Sequence, residues 1–270
     1  MDKKKKIYKI IYIILISLII LSIIYIVYLI ILKKEAKEES DLLNTIDVEK
    51  ENETLIGISN NTENENIYTK ENKEEKTERM LKVQKLKEEN FDIVGWIEIE
   101  GTSINYPVLQ GTDNEFYMTH NYKKEKSKNG SIFLNKDYDW NIESNNLLIY
   151  GHNINNGTMF QELLKYESES FYKEHPKIRF TTENEDSIYD IISAFKSKVY
   201  YKSQKNVFRY YYFINPKSEE EYMNYVENVK KASLYNIEET ATYGDRLITL
   251  STCSYYVQDG RFAVVARKEK

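Results

Sequence analysis

The sequence predicts a mainly β fold: eight short strands, closed as a barrel or stacked as a sandwich, behind one N-terminal apolar helix. Three observations support this. From Phe91 to Arg267, short apolar or alternating runs recur between turn residues. Only one stretch, Ile7 to Leu32, is apolar on every helical face. A long polar segment separates the two. Composition limits the function further. The chain holds 24 tyrosines and is 13% aromatic, enough for a core of ordinary size. A single cysteine excludes an intrachain disulfide, so an exported domain must fold on packing alone. A net charge of −5, with no basic patch beyond the extreme N-terminus, argues against nucleic acid as a partner.

In chain order, residues 1–6 carry four consecutive lysines, which favour a cytoplasmic N-terminus. Residues 7–32 are almost all Ile, Leu, Val and Tyr, interrupted by Lys9, Ser17 and Ser22. As a helix they span roughly 39 Å, enough to cross a bilayer with tilt. No small-residue cleavage site follows, so the stretch reads as an uncleaved single-pass anchor, with everything after it outside the cell. Residues 33–76 are mostly Glu, Lys, Asn, Asp and Thr. They cannot bury enough surface to offset ordering and read as a flexible tether, roughly 35 Å end to end. The Asn52-Glu53-Thr54 triplet within it is a weak glycosylation signal.

Residues 77–270 form the expected folded domain. Thr77 to Asn90 reads as a helix with a partial apolar stripe of Met80, Leu81, Val83 and Leu86. Strands are expected at Val94–Ile99, Tyr106–Leu109, Ser131–Leu134, Leu147–Tyr150, Ile178–Thr181, Ile188–Lys198, Arg246–Cys253 and Arg261–Arg267. Two helices interrupt them, at Thr158–Tyr166 and at Ser218–Ser233. The second opens on a capping box, Ser218-x-x-Glu221, and places Tyr222, Tyr225, Val226 and Val229 at helical spacing.

The chemistry centres on Cys253 at the end of an apolar strand. Seven residues separate it from Arg261. Pairing the two strands as a hairpin sets Cys253 opposite Arg261, with β-carbons roughly 5 Å apart, and Ser251 opposite Ala263. A guanidinium there favours the thiolate and stabilises a developing oxyanion. Taken singly, the cysteine reads as a small core residue and the arginine as a surface charge; at hairpin register they read as a site. Of the three histidines, His152 follows Gly151 at the end of a strand and suits general acid–base work. His120 and His175 read as solvated loop residues. No Asp or Asn is placed by the sequence to orient His152, so a papain-type triad is not supported. Cysteine and histidine spacing does not suit a metal site, and no cofactor is called for.

Tyr150-Gly151-His152-Asn153, Thr249-Leu250-Ser251-Thr252-Cys253 and Gly260-Arg261-Phe262 resemble the signatures of sortases, the cysteine transpeptidases of Gram-positive cell surfaces. The Thr-Leu-Ser-Thr-Cys form resembles class B. So do Gly95-Trp96-Ile97, Tyr106 to Gly111, Asp113-Asn114, Gly130 to Phe133 and the helix before the cysteine strand. The resemblance covers roughly Leu81 to Arg267. It implies an eight-stranded sortase-type β-barrel with N-terminal helices. It also implies a two-step reaction on secreted proteins bearing a C-terminal sorting motif. Cys253 attacks the threonine carbonyl, a thioacyl-enzyme forms, and an amino group of a peptidoglycan precursor resolves it. His152 would serve as acid and base and Arg261 would hold the oxyanion. Ser251, Thr252, Asn153 and Tyr255 are the expected substrate contacts.

Three other readings compete. An L,D-transpeptidase carries its cysteine in a Ser-His-Gly-Cys context, absent here. A pilus-assembling sortase of another class would carry a lid, for which only Ile46 to Tyr68 is available. A non-catalytic adhesion or sensor domain would retain no activity dependent on Cys253.

Overall fold

The computed structural model describes residues 2–44, 67–142 and 145–270. It divides into two compact units, residues 1–45 and 46–270. The first is one helix, α1 (Asp2–Asn44). Ile11–Tyr28 within it is long and apolar enough to cross a membrane, and none of that window is buried. Nothing polar interrupts a continuous apolar surface there except Ser17 and Ser22; the Ser17 hydroxyl turns back to donate to the Ile14 carbonyl (2.8 Å). The helix continues into the segment expected as tether. The middle of that tether, residues 45–66, with its Asn-x-Thr triplet and most of the only available lid stretch, lies outside the described residues.

The second unit begins with α2 (Ile67–Glu89), whose start also lies inside the expected tether. Its stripe is narrower than the sequence suggests: Val83 and Leu86 are buried, whereas Leu81 is exposed. Strands β1 (Ile93–Glu98), β2 (Asn105–Leu109), β3 (Ile132–Leu134) and β4 (Asn146–Tyr150) follow. The α2 helix docks on β1: the Lys82 ammonium lies 3.9 Å from the Trp96 ring centre, and Arg79 pairs with Glu98. Burial, and then the Arg79 charge, push the Lys82 amine down to about 8.

After β4 come a small pair, β5 (Asn153–Ile154) and β6 (Thr158–Met159), a 3-10 turn at Gln161–Glu167, and a short α3 (Glu169–Glu174). The helix expected at Thr158–Tyr166 is thus present from Gln161 on, as 3-10 rather than α, and only its start, Thr158–Met159, belongs to a strand pair instead. Met159 has φ +57°, its N–H donates to the Tyr106 hydroxyl (3.0 Å), and the Phe160 N–H donates to the His152 carbonyl (2.9 Å). A residue at positive φ cannot sit inside a right-handed helix, so the helical turn starts only after Met159. Strands β7 (Lys177–Thr181) and β8 (Asp186–Lys198), helix α4 (Glu219–Ala232), and strands β9 (Leu247–Cys253) and β10 (Gly260–Lys268) complete the chain.

All eight expected strands are present and close a barrel in the order β1-β2-β3-β4-β9-β10-β8-β7. The β2–β3 and β4–β9 pairs are parallel and the rest antiparallel. Alternation sorts β4, β8, β9 and β10 between two cores. Ile248, Leu250, Phe262, Val264 and Ala266 join the core that draws on all eight strands, the barrel interior. Leu247, Ala263 and Val265 face the other way, into a second core with Leu148, Phe195, Tyr210, Tyr222 and Tyr225.

That second core exists because α4 covers the outside of the barrel. Its start is as expected: Ser218 Oγ accepts from the Glu221 N–H (3.2 Å). Glu221 reaches back one residue further than the usual box and accepts from the Lys217 N–H (2.9 Å). Tyr222, Tyr225, Val226 and Val229 are all buried against the sheet. The Tyr225 hydroxyl bonds to that of Thr249 (3.0 Å), and Thr249 Oγ1 donates to Asn146 Oδ1 (2.8 Å). The outer face of β9 is therefore covered up to its last residues.

The many buried tyrosines have a measurable consequence. Burial pushes the phenols of Tyr166, Tyr189, Tyr210, Tyr222 and Tyr225 up from their ordinary value. A group with a raised folded-state pKa contributes its stability fully below the unfolded pKa, about 10 for tyrosine, and loses it as pH climbs from there. The domain is thus expected to unfold cooperatively above about pH 10. Circular dichroism loss and a late rise in tyrosinate absorbance should coincide; full ionisation without unfolding would contradict this.

Candidate active site

Cys253 is the last residue of β9, half-buried, with a free thiol. The β9–β10 ladder pairs Arg261 with Cys253 and Ala263 with Ser251, the register expected from the hairpin. Both side chains project on the outer face, beyond the edge of the core that α4 covers. The connecting loop closes with the Ser254 N–H donating to the Gly260 carbonyl (3.0 Å) and the Gly260 N–H to the Val257 carbonyl (3.1 Å). Arg261 Nη1 donates to the carbonyls of Gly260 (2.9 Å) and Asp259 (3.4 Å). Among the described residues no carboxylate pairs with this guanidinium. Its charge is felt by the two phenols beside it. Burial holds the Tyr150 and Tyr210 hydroxyls above their ordinary values, and Arg261 offsets part of that shift.

The histidine arrives from β4. The parallel pairing of β4 with β9 sets Leu148 beside Thr249 and Tyr150 beside Ser251. The chain leaves β4 two residues before His152 and leaves β9 two residues after Ser251, so the sheet delivers His152 and Cys253 to the same rim. Three further bonds extend the pairing past the strands. The Gly151 N–H donates to the Ser251 carbonyl (3.2 Å), Thr252 Oγ1 donates to the Gly151 carbonyl (2.8 Å), and Asn153 Nδ2 donates to the Cys253 carbonyl (3.0 Å). Gly151 has no room for a side chain: a Cβ would lie 2.5 Å from Ile132 Cδ1 and 2.7 Å from the Phe160 ring.

His152 has an orienting partner that the sequence does not reveal. Its Nε2 lies 2.7 Å from the Met118 carbonyl oxygen. A carbonyl only accepts, so Nε2 carries the hydrogen and Nδ1 is the nitrogen left to exchange a proton. Several quoted motif residues set the position of that carbonyl. Asp113 Oδ1 accepts from the Glu115 and Phe116 N–H groups at the start of the turn Phe116–Met118, and those bonds lower its pKa. Gly130 sits at φ +60°, where a Cβ would lie 2.7 Å from the Met118 and Tyr117 carbonyl oxygens. The Ser131 N–H donates to the Tyr117 carbonyl (2.8 Å).

The other two histidines are tied elsewhere. His120 stacks on Phe116 (4.0 Å between ring centres) with Nδ1 on the Phe116 carbonyl; His175 packs on Phe171 with Nδ1 on the Glu100 carbonyl. They are anchored rather than freely solvated, each with a ring nitrogen tied to a backbone carbonyl.

The remaining expected site residues divide. Ser251 and Thr252 are 2% exposed, with hydroxyls engaged by Tyr210 (2.7 Å) and Gly151. Asn153 is also buried and directed at Cys253. Tyr255 alone is open to solvent, at 76%. Tyr210, on the segment leading to α4, is the side chain the sequence reading missed. Its run of three tyrosines carries no signal for which one turns inward.

A family model described as the sortase domain matches residues 97–269. This chain belongs to the sortase family. It is 33% identical over 186 residues to sortase B of Staphylococcus aureus, covering 68% of this chain and 73% of that relative. The crystal structure of Clostridium perfringens sortase B superposes with a TM-score of 0.60 at 33% identity, covering 69% of this sortase and 99% of that chain. A sortase B–substrate complex of S. aureus superposes with a TM-score of 0.62 at 31% identity, covering 74% and 94%. The sequence resemblance to class B sortases is thereby confirmed, and so is the enzyme class: this sortase is a cysteine transpeptidase with a closed eight-stranded barrel and an N-terminal helix compatible with a membrane anchor.

Proposed function

We propose that Cys253, His152 and Arg261 carry the transpeptidation, on secreted proteins that bear a C-terminal sorting motif. The observation that supports this most directly is the cross-strand pairing of Arg261 with Cys253 at the rim where β4 delivers His152. The Cys253 thiolate attacks the carbonyl carbon of the motif's threonine, forming a C–S bond. The carbonyl oxygen becomes an oxyanion held by Arg261, whose charge no described carboxylate neutralises. His152 gives its proton to the leaving amine as the C–N bond breaks, and a thioester remains. An amino group of a peptidoglycan precursor then attacks. His152 takes its proton, the new amide forms, and the thiolate leaves.

Nδ1 is the His152 atom that moves the proton, because Nε2 is held by Met118. The exposed ring of Tyr255 flanks the motif at the loop after Cys253, whereas Ser251 is spent on holding the strand. The complex of the S. aureus relative with its substrate supports the substrate class. For the whole chain the reading is a cytoplasmic tail (1–6), a single-pass anchor (7–32), a tether (33–76) and an extracellular catalytic domain (77–270). The lysines before the apolar stretch support that orientation.

The test is a sorting-motif peptide library with and without an acceptor amine. Wild type is expected to cleave selected motifs after threonine and to form an amide with the amine. His152→Ala should lose about 10²–10⁴-fold in both steps, the worth of a general acid–base. Full activity in that variant would remove the histidine from the mechanism.

A further inference from the structure

We propose that Asn153 is a positioning residue: its amide locks the carbonyl of Cys253 to the histidine loop and so sets thiol against imidazole. This rests on the assignment of Cys253 and His152 as the reacting pair. The ladder between β4 and β9 ends at Tyr150 and Ser251, before either reacting residue. Beyond it, the residues on each side of His152 are tied to the cysteine end of β9. Gly151 is held by the Thr252 hydroxyl at its carbonyl, and Asn153 holds the Cys253 carbonyl from the other side. The two bonds run in opposite directions across the gap, and His152 is the residue between their anchor points. The His152 backbone has its own tie, the Phe160 N–H on its carbonyl, but that bond joins it to the chain after β6 and not to β9.

A second observation distinguishes a strut from a surface amide. Asn153 is 9% exposed, and its Oδ1 is buried with no hydrogen-bond partner among the described residues. Turning the amide over would not help, because Oδ1 would then oppose the Cys253 carbonyl oxygen. The side chain thus leaves an acceptor unsatisfied in order to keep its donor on Cys253, which is the signature of a group retained for what it holds. Being buried, it does not offer Oδ1 to a substrate peptide. Asp at this position would present oxygen to oxygen, and Ala would leave the Cys253 carbonyl free to rotate with its side chain.

The experiment uses the full-length protein in detergent, one sorting-motif peptide and one amine acceptor. Displacing a reacting group by about an ångström lowers rates by roughly 100-fold, so Asn153→Ala is expected to lower kcat about 10- to 100-fold while KM moves less than twofold. Cys253 should still react with a small neutral alkylating agent within a few-fold of wild type, which reports an intact, accessible thiol. Thr252→Val should show the same split, Thr252→Ser should restore kcat, and the double variant Asn153→Ala/Thr252→Val should lose less than the product of the single losses. If Asn153→Ala does not fold, the Thr252 pair decides. A rise in KM at constant kcat would make Asn153 a substrate contact and overturn the proposal, and so would unchanged kcat. Cys253→Ala in parallel separates the failures: if it stays active the underlying assignment is wrong, and if it is dead while Asn153→Ala is normal, only the strut is.

Discussion

Replacing Cys253 by alanine is expected to remove transpeptidation and thioester trapping together, a loss of at least about 10⁴-fold, as when a nucleophile is deleted from a comparable covalent mechanism. The fold should not suffer. Cys253 is only half-buried at the strand end, and its carbonyl bond to Asn153 and its pairing opposite Arg261 do not involve the sulfur. The melting temperature is therefore expected to stay close to wild type. The alanine enzyme should still bind a sorting-motif peptide, because the arginine and the aromatic loop remain. The measurement is mass spectrometry of the acyl-enzyme beside peptide cleavage by chromatography. Residual cleavage by the alanine variant at more than a trace would mean that another group carries the reaction.

Arg261→Ala is expected to lower kcat by about 10²–10³-fold, the worth of one oxyanion donor in a prepared site. The prediction is sharper than for most arginines because this one has no described carboxylate partner. Its removal orphans no buried anion, so stability should change little and the rate a great deal. Lysine should restore little: an ammonium keeps the charge but lacks the planar fork that can donate to its own turn and to the oxyanion at once. A pure KM effect would limit Arg261 to holding the ground-state peptide. The same substitution should raise the pKa of Tyr150 further, since the guanidinium is one of the groups holding it down. NMR or difference absorbance of that phenol would report the lost charge independently of turnover.

Much of this site is local and was therefore legible. The hairpin from Thr249 to Arg261 spans few residues, so strand alternation and loop length together place Arg261 opposite Cys253. The cap at Ser218 and the stripe of Tyr222, Tyr225, Val226 and Val229 are likewise read within one helix. The start of the helix expected at Thr158–Tyr166 was misplaced for the opposite reason. Thr158 and Met159 are drawn into the β5–β6 pair and tied to Tyr106, contacts that periodicity cannot see.

The sequence by itself thus determined the strands, the covering helix, the apolar segment near the N-terminus and the cysteine–arginine pair, because each depends on contacts a few residues apart. Only the tertiary structure decided that His152 and Cys253 come to one rim, and what holds the histidine ring. That meeting depends on a parallel pairing of strands about a hundred positions apart, and parallel strands need a long crossover whose length says nothing of their register. The histidine's partner is the backbone carbonyl of Met118, a group every residue carries, so no side-chain pattern could have singled it out before the barrel closed and brought that turn alongside.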